Sequence, residues 1–283
     1  MSSPKQKNVA MMIPARFAST RLPGKPLQKI GEDSLISLVL KKAQETKNLL
    51  LGTKLFEKIE IFVASEHAKV CDHVVSLGFQ ALLTSADHVS GTDRICEAVS
   101  LCGMNLQSDD LVLNLQGDEP FVRANDLKDL VVHCVTHGEN MLGTLVFKNS
   151  SVEDFLNSGI VKCILGNNQR AIYFTRAPSP WPRDLFGASG KYPSSEDTFD
   201  VTKMREFHFW HHAGVYCFLK KNLETFALKL GPGALELKEG LEQLRALEAG
   251  WSIVTSETFH KPFGIDTPED VIKATEKLKE FKN

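Results

Sequence analysis

Through its first half the chain alternates short apolar runs with segments of helical period, and this alternation restricts the fold more than any other feature. Val9–Ile13 reads as a strand, and Leu35, Ile36, Leu38, Val39 and Ala43 as one face of a helix. Strands are expected at Ile59–Ala64, Ala81–Thr84, Leu111–Gln116 and Met141–Phe147. Between them helices are expected at Ala68–Leu77, Thr92–Leu101 and Asn125–His137. A βαβα series of this kind packs as a mainly parallel sheet with helices on both faces. The second half is less regular. Val161–Leu165 and Ala171–Arg176 form a hairpin-type pair, and 177–206 reads as a long loop rich in Pro, Ser, Gly and charge. Phe207–Leu219 is expected as a long strand, Leu237–Glu248 as a helix, Trp251–Ser256 as a strand and Pro268–Phe281 as a closing helix. Asp266-Thr267-Pro268 is a helix start, with Thr267 or Asp266 as N-cap and Pro268 at the first helical position.

With 283 residues there is room for one large α/β domain or a domain plus a lobe. The formal net charge of -2 gives no reason to expect nucleic acid or an anionic membrane as partner. Any anion site must therefore be local. The longest apolar runs fall short of the roughly 20 residues that span a bilayer. The start, Met-Ser-Ser-Pro-Lys-Gln-Lys, lacks a signal-peptide core, so a cytoplasmic location is expected. Cys71, Cys96, Cys102, Cys134, Cys163 and Cys217 are scattered without a CxxC pair, which argues against both a disulfide framework and zinc.

The loop after the first strand, Ile13-Pro-Ala-Arg16-Phe-Ala-Ser-Thr-Arg21-Leu-Pro-Gly-Lys25-Pro-Leu, carries three fixed cations and a glycine. At the carboxyl end of a parallel strand such a loop suits a polyphosphate, although it also reads as a solvated connector. GxxxxGK[ST] and GxGxxG are both absent. Gln116-Gly-Asp118-Glu-Pro follows the central strand and is either a plain turn or a Mg²⁺ ligand beside phosphate oxygens. Ser90-Gly-Thr-Asp-Arg94 opens a helix, either as an ordinary cap or as an anion-facing terminus. Asp266 becomes a second metal ligand only if the fold brings it beside Asp118. His211 and His212 are adjacent on a strand, so only one of them can face a given site.

Taken together, IPARFASTRLPGKPL (13–27), SGTDR (90–94), NLQGDEP (114–120), YFTRA (173–177), HHAGVY (211–216), LEQLRALE (241–248) and GIDTPED (264–270) resemble the 3-deoxy-manno-octulosonate (KDO) cytidylyltransferases, in the family's order and over nearly the whole chain. The resemblance implies one nucleotidyltransferase domain over 1–283, of Rossmann-like α/β type, with about 160–220 forming a sugar-binding and dimerisation lobe. It implies a homodimer that converts CTP and KDO to CMP-KDO and pyrophosphate for lipopolysaccharide assembly. By the same resemblance Arg16, Lys25 and Asp118 are catalytic, and Arg16, Arg21, Lys25, Ser90 and Arg94 bind nucleotide. Gln116, Arg176, His212, Tyr216, Glu242 and Gln243 surround the sugar acid, and Asp118 and Asp266 hold Mg²⁺.

The chain departs from the family pattern at a lengthened segment near 46–58, at an insertion near 188–206, at Ala64-Ser65-Glu66 in place of a Thr-Asp pair, and at Ser158-Gly-Ile-Val-Lys162. The insertion lies between Arg176 and His212, so an 8-amino analogue of KDO is a substitute substrate. A sialic acid would suit Arg176 equally, but LEQLR and GIDTPED argue against it. A catalytically silent nucleotide-binding protein on the same fold would not need both acids.

Overall fold

The computed structural model describes residues 6–136, 142–186 and 206–282. Five parallel strands carry the first half: β1 (Lys7–Pro14), β4 (Phe56–Ser65), β5 (Gln80–Leu83), β6 (Leu111–Asn114) and β7 (Leu142–Asn149). A two-strand turn, β2 (Lys29–Ile30) with β3 (Asp33–Ser34), precedes α1 (Leu35–Gly52). Helices α2 (Ala68–Ser76), α3 (Gly91–Leu101) and α4 (Ala124–Thr136) follow in turn. The second half adds α5 (Val152–Leu156), the hairpin β8 (Lys162–Leu165) and β9 (Ala171–Thr175), and α6 (Arg183–Phe186). It continues with β10 (Phe209–Leu219), α7 (Lys220–Leu228), α8 (Ala234–Glu239), α9 (Gln243–Glu248), β11 (Ile253–Thr258) and α10 (Pro268–Lys282).

The main sheet runs β11-β7-β10-β6-β1-β4-β5, with β8 and β9 appended to β10. On that path β10 alone is antiparallel to its neighbours, pairing Tyr216 with Asn114 of β6 and His212 with Val146 of β7. It therefore separates β6 from β7, two strands that follow one another in sequence.

Strand alternation builds the two cores. Val9, Met11 and Ile13 of β1 pack on one face beneath α1 and α4, while Ala10 and Met12 pack on the other with Ile95, Val99 and Phe226. Leu111 and Leu113 of β6 follow the first set and Val112 the second. A smaller core of Leu22, Ile30, Leu35, Ile265 and Ala274 fixes the first loop against α10.

Most expected elements are present with shifted ends. The expected helix Leu237–Glu248 is two short helices, because Gly240 adopts a left-handed backbone (φ +63) that ends α8. The long loop at 177–206 contains α6, and residues 188–205 of the insertion lie outside the described residues. Helices α5 and α7 had no strong periodic signal in the sequence.

Packing between α4 and the sheet depends on Gly143. A Cβ there would overlap the Cys134 sulfur and come within 3.1 Å of Leu130 Cδ1. Gly143→Ala is expected to cost about 1–3 kcal/mol by overpacking. Adding Cys134→Ala should recover part of that loss, so urea melts of the three variants should show non-additive stabilities.

Candidate active site

The carboxyl ends of β1, β4 and β6 meet along one edge of the sheet, where ligands bind in open α/β folds. The loop leaving β1 lines a cleft of about 400 Å³ with Arg16, Arg21 and Lys25 on one side and Gln116, Gly117 and Asp118 on the other. Gly117 is required by close approach, since a Cβ would lie 2.6 Å from the Pro14 carbonyl oxygen. Gly24 has φ +65 and opens a single turn of 3-10 helix at Lys25–Leu27 that aims the Lys25 side chain inward.

Lys25 joins the two expected metal ligands. Its ammonium lies 2.5 Å from Asp118 Oδ2 and 2.8 Å from Asp266 Oδ1. Arg21 holds the other Asp266 oxygen at 3.1 Å. The capping alternatives for Asp266 are resolved by its neighbour. Thr267 Oγ1 accepts the Asp270 N–H at 3.2 Å, so Thr267 caps α10 and leaves the Asp266 carboxylate to Lys25 and Arg21. The Ile265 N–H donates to the Asp118 carbonyl at 3.0 Å and locks the two acidic loops together.

Charge follows this geometry. Burial lowers the pKa of Lys25, but the Asp118 charge and hydrogen bonds to both acids outweigh burial and raise it. Burial likewise raises Asp266, and its bonds and charge contacts with Lys25 and Arg21 bring it below the usual carboxylate range. Glu119, next to Asp118, is pushed up to about 8 by burial and then by the Asp118 charge, so it is mostly protonated at neutral pH.

Two carboxylates converging on one cation form a hard oxygen donor pair of the kind Mg²⁺ takes together with phosphate oxygens and water. The donor chemistry therefore fits the expected metal, and the Lys25 ammonium marks where positive charge is held. Among the described residues no group of three or more His, Cys, Asp or Glu could hold a metal by itself. A bound nucleotide would have to supply the remaining oxygens.

The remaining expected residues lie outside this cluster. Ser90 caps α3, accepting the Asp93 N–H at 3.1 Å while Asp93 accepts the Ser90 N–H. Gln116, which lines the cleft, starts a polar chain. Its amide donates to Asn114 Oδ1 at 3.2 Å, Asn114 to Thr92 Oγ1 at 3.3 Å, and Thr92 to Glu242 Oε1 at 2.8 Å. The second Glu242 oxygen is buried without a hydrogen-bond partner, and burial raises the Glu242 pKa. Beside this chain the Tyr216 hydroxyl donates to Gln243 at 3.0 Å, and His212 Nε2 lies 2.9 Å from the Thr144 hydroxyl.

Arg94 and Arg176 stand apart from the cleft lining. Arg94 is 1% exposed, beneath the first loop. Arg176 donates to three backbone carbonyls, those of Glu239 (2.7 Å), Ser158 (3.1 Å) and Gly240 (3.5 Å). It borders a separate hollow with Leu156, Ser158, Ala177 and Pro178. Lys162, fully buried, donates to the carbonyls of Asn157, Ile160 and Arg176 and so holds that segment together.

The sequence alone gives no role to Asn114, Glu119 or Lys162, and offers Thr92 only as an alternative helix cap to Ser90. Glu66 carried a usable signal, because it is an acid at the carboxyl end of a strand.

His211 and His212 face opposite sides of β10, as their adjacency requires. Burial lowers their pKa values to about 4 and about 3. Both are neutral in the folded protein, whereas unfolded histidine titrates near ~6.5. The unfolded histidines therefore bind more protons below about pH 6.5, and their contribution to stability falls as pH drops from there toward 4, by up to about 1.4 kcal/mol per pH unit each, while Glu119, with its raised pKa, works in the opposite direction. Urea melts of the protein and of His212→Gln from pH 7.5 to 4.5 should show the unsubstituted protein losing stability relative to the variant below about pH 6.5.

An α/β sheet with fixed cations on one loop and paired carboxylates on two others is suited to a polyphosphate and its metal, the kind of site a nucleotidyltransferase uses. The cytidylyltransferase family model matches residues 10–258, and the chain belongs to that family. A 3-deoxy-manno-octulosonate cytidylyltransferase of Xanthomonas euvesicatoria pv. vesicatoria is 39% identical over 93% of this chain and 93% of its own. An 8-amino-3,8-dideoxy-manno-octulosonate cytidylyltransferase of Shewanella pealeana is 38% identical over 93% of this chain and 96% of its own. The solved structure of CMP:2-keto-3-deoxy-manno-octonic acid synthetase complexed with CTP superposes with a TM-score of 0.80 at 29% identity, over 97% of this chain and 99% of that one. No helix among the described residues is long and apolar enough to cross a membrane.

Proposed function

We infer that the protein activates 3-deoxy-manno-octulosonate with CTP, giving CMP-KDO and pyrophosphate for lipopolysaccharide assembly. The observation that carries this reading is the Asp118–Lys25–Asp266 cluster on the edge of a cation-lined cleft, in a chain similar along its length to cytidylyltransferases of that sugar.

In this reaction the anomeric hydroxyl of the sugar attacks the α-phosphorus of CTP in line. The new C–O–P linkage forms as the bond to pyrophosphate breaks. Most of the catalysis is positioning and charge neutralisation. Arg16, Arg21 and Lys25 would bind the triphosphate, with Lys25 offsetting charge as it moves onto the leaving pyrophosphate. Asp118 and Asp266 would hold Mg²⁺, which supplies further positive charge at the phosphates when bound. Ser90, with the N–H groups at the start of α3, would receive the nucleotide. Gln116, His212, Tyr216, Glu242 and Gln243 would pair with sugar hydroxyls. Neutral His212 suits hydrogen bonding to a hydroxyl better than charge pairing. Arg176 would take the sugar carboxylate after exchanging its carbonyl partners for it.

An 8-amino sugar is the second reading, favoured by the equally similar Shewanella relative. A homodimer in the cytoplasm, with the β8–β9 region as part of the contact, completes the proposal.

Magnesium-dependent pyrophosphate release from CTP, measured in parallel with KDO, its 8-amino analogue and sialic acid, tests the reading. Release with KDO is expected; release only with another sugar would move the specificity, and silence with all three would overturn the enzyme assignment. Lys25→Met and Asp266→Asn should each lower turnover by about 10²–10³ while the far-UV spectrum stays native.

A further inference from the structure

We propose that Glu66 and Arg94 are positioning residues: a buried ion pair that sets the two loops flanking the nucleotide cleft and thereby presents Arg16 to the triphosphate. This rests on the nucleotide reading above.

Glu66 leaves the carboxyl end of β4, and its Oε1 accepts the backbone N–H groups of Phe17 (2.8 Å) and Ala18 (3.3 Å). These are the two residues that follow Arg16. The Phe17 ring stacks on His67 at 4.0 Å, so both residues after β4 grip the same loop. The other carboxylate oxygen lies 3.1 Å from Arg94 Nη1. From α3, the same nitrogen donates to Thr84 Oγ1 at 2.6 Å and to the Ser85 carbonyl at 3.2 Å. Arg94 thus fixes the start of the loop 85–90, which α3 also holds through Glu97, acceptor of the Ser85 N–H at 2.9 Å. The far end of that loop returns to the cleft, where the His88 carbonyl accepts a hydrogen bond from Arg16.

The circuit is closed. Glu66 holds the backbone beside Arg16, Arg94 holds Glu66 and the opposing loop, and that loop holds the Arg16 guanidinium. Arg94 itself is too deeply buried to reach a nucleotide. Its charge acts through Glu66 rather than on phosphate. Preset loops spare the ordering that a bound nucleotide would otherwise have to impose.

Two variants test this in the full-length protein. Glu66→Ala removes the acceptor for both loop N–H groups. Glu66→Leu/Arg94→Met removes both charges, leaves no buried charge unpaired, and serves if the single variant loses its fold. Calorimetric titration with CTP and magnesium is compared with steady-state kinetics. Both variants should bind CTP about tenfold or more weakly and raise its KM, with the sugar KM changed by less than about twofold. In an Arg16→Ala background the Glu66 substitution should weaken CTP no further, because the pair acts through Arg16. Unchanged CTP affinity with only a lower melting temperature, or losses that add fully to those of Arg16→Ala, would overturn the proposal. If the unsubstituted protein itself failed to bind CTP, the nucleotide reading would fall and the clamp with it.

Discussion

One ammonium group holds the site together. Lys25 comes from the loop after the first strand, Asp118 from the loop after the central strand, and Asp266 from the turn before the last helix, 241 positions beyond Lys25. Two carboxylates in a half-buried cleft repel one another unless a cation stands between them. The Lys25 side chain is that cation in the free protein. Its own burial is tolerable because both acids surround it. The positions of the β1 loop, the β6 loop and the N-terminus of α10 are thus mutually dependent, and the third small core beneath them supplies the apolar support.

Around this cluster the polar groups sort by depth. Cations at the rim keep substantial exposure and can change partners. Farther in, Gln116, Asn114, Thr92 and Glu242 form a hydrogen-bonded chain that ends in an unpaired buried oxygen. Burying a carboxyl oxygen without a partner costs free energy. A site with such an oxygen discriminates by hydrogen bonding, favouring a ligand that pairs with it over one that leaves it stranded.

Much of this was legible in the sequence, for physical reasons. Unbroken apolar runs in β1 and β6 report strands buried on both faces, so the sheet and its helices could be read directly. The cations of the first loop and Asp118 are local to strand ends. Asp266 was ambiguous only because Thr267 beside it can cap a helix equally well, and the structure gives the capping to Thr267. The helix break at Gly240 was hidden because apolar spacing continues across it from Leu237 to Leu244. Arg94 read as a cleft cation because nothing local indicates that it is buried; its partner Glu66 lies 28 positions earlier, just beyond the end of β4. Arg176 met carbonyl partners from Ser158, Glu239 and Gly240, contacts that no sequence spacing encodes.

The place of β10 in the sheet has a consequence for a growing chain. Strands β6 and β7 emerge from a ribosome one after the other, yet they never pair, and the strand that belongs between them is completed only at Leu219. Until then both carry an open edge, each a template for wrong pairing. The four parallel strands β5-β4-β1-β6 can assemble early as a unit, whereas β7 must wait for an insertion from downstream. Asp266 arrives later still. The β1 loop that lines the cleft therefore gains its last supports, Asp266 and the core beneath α10, only when the end of the chain has been made.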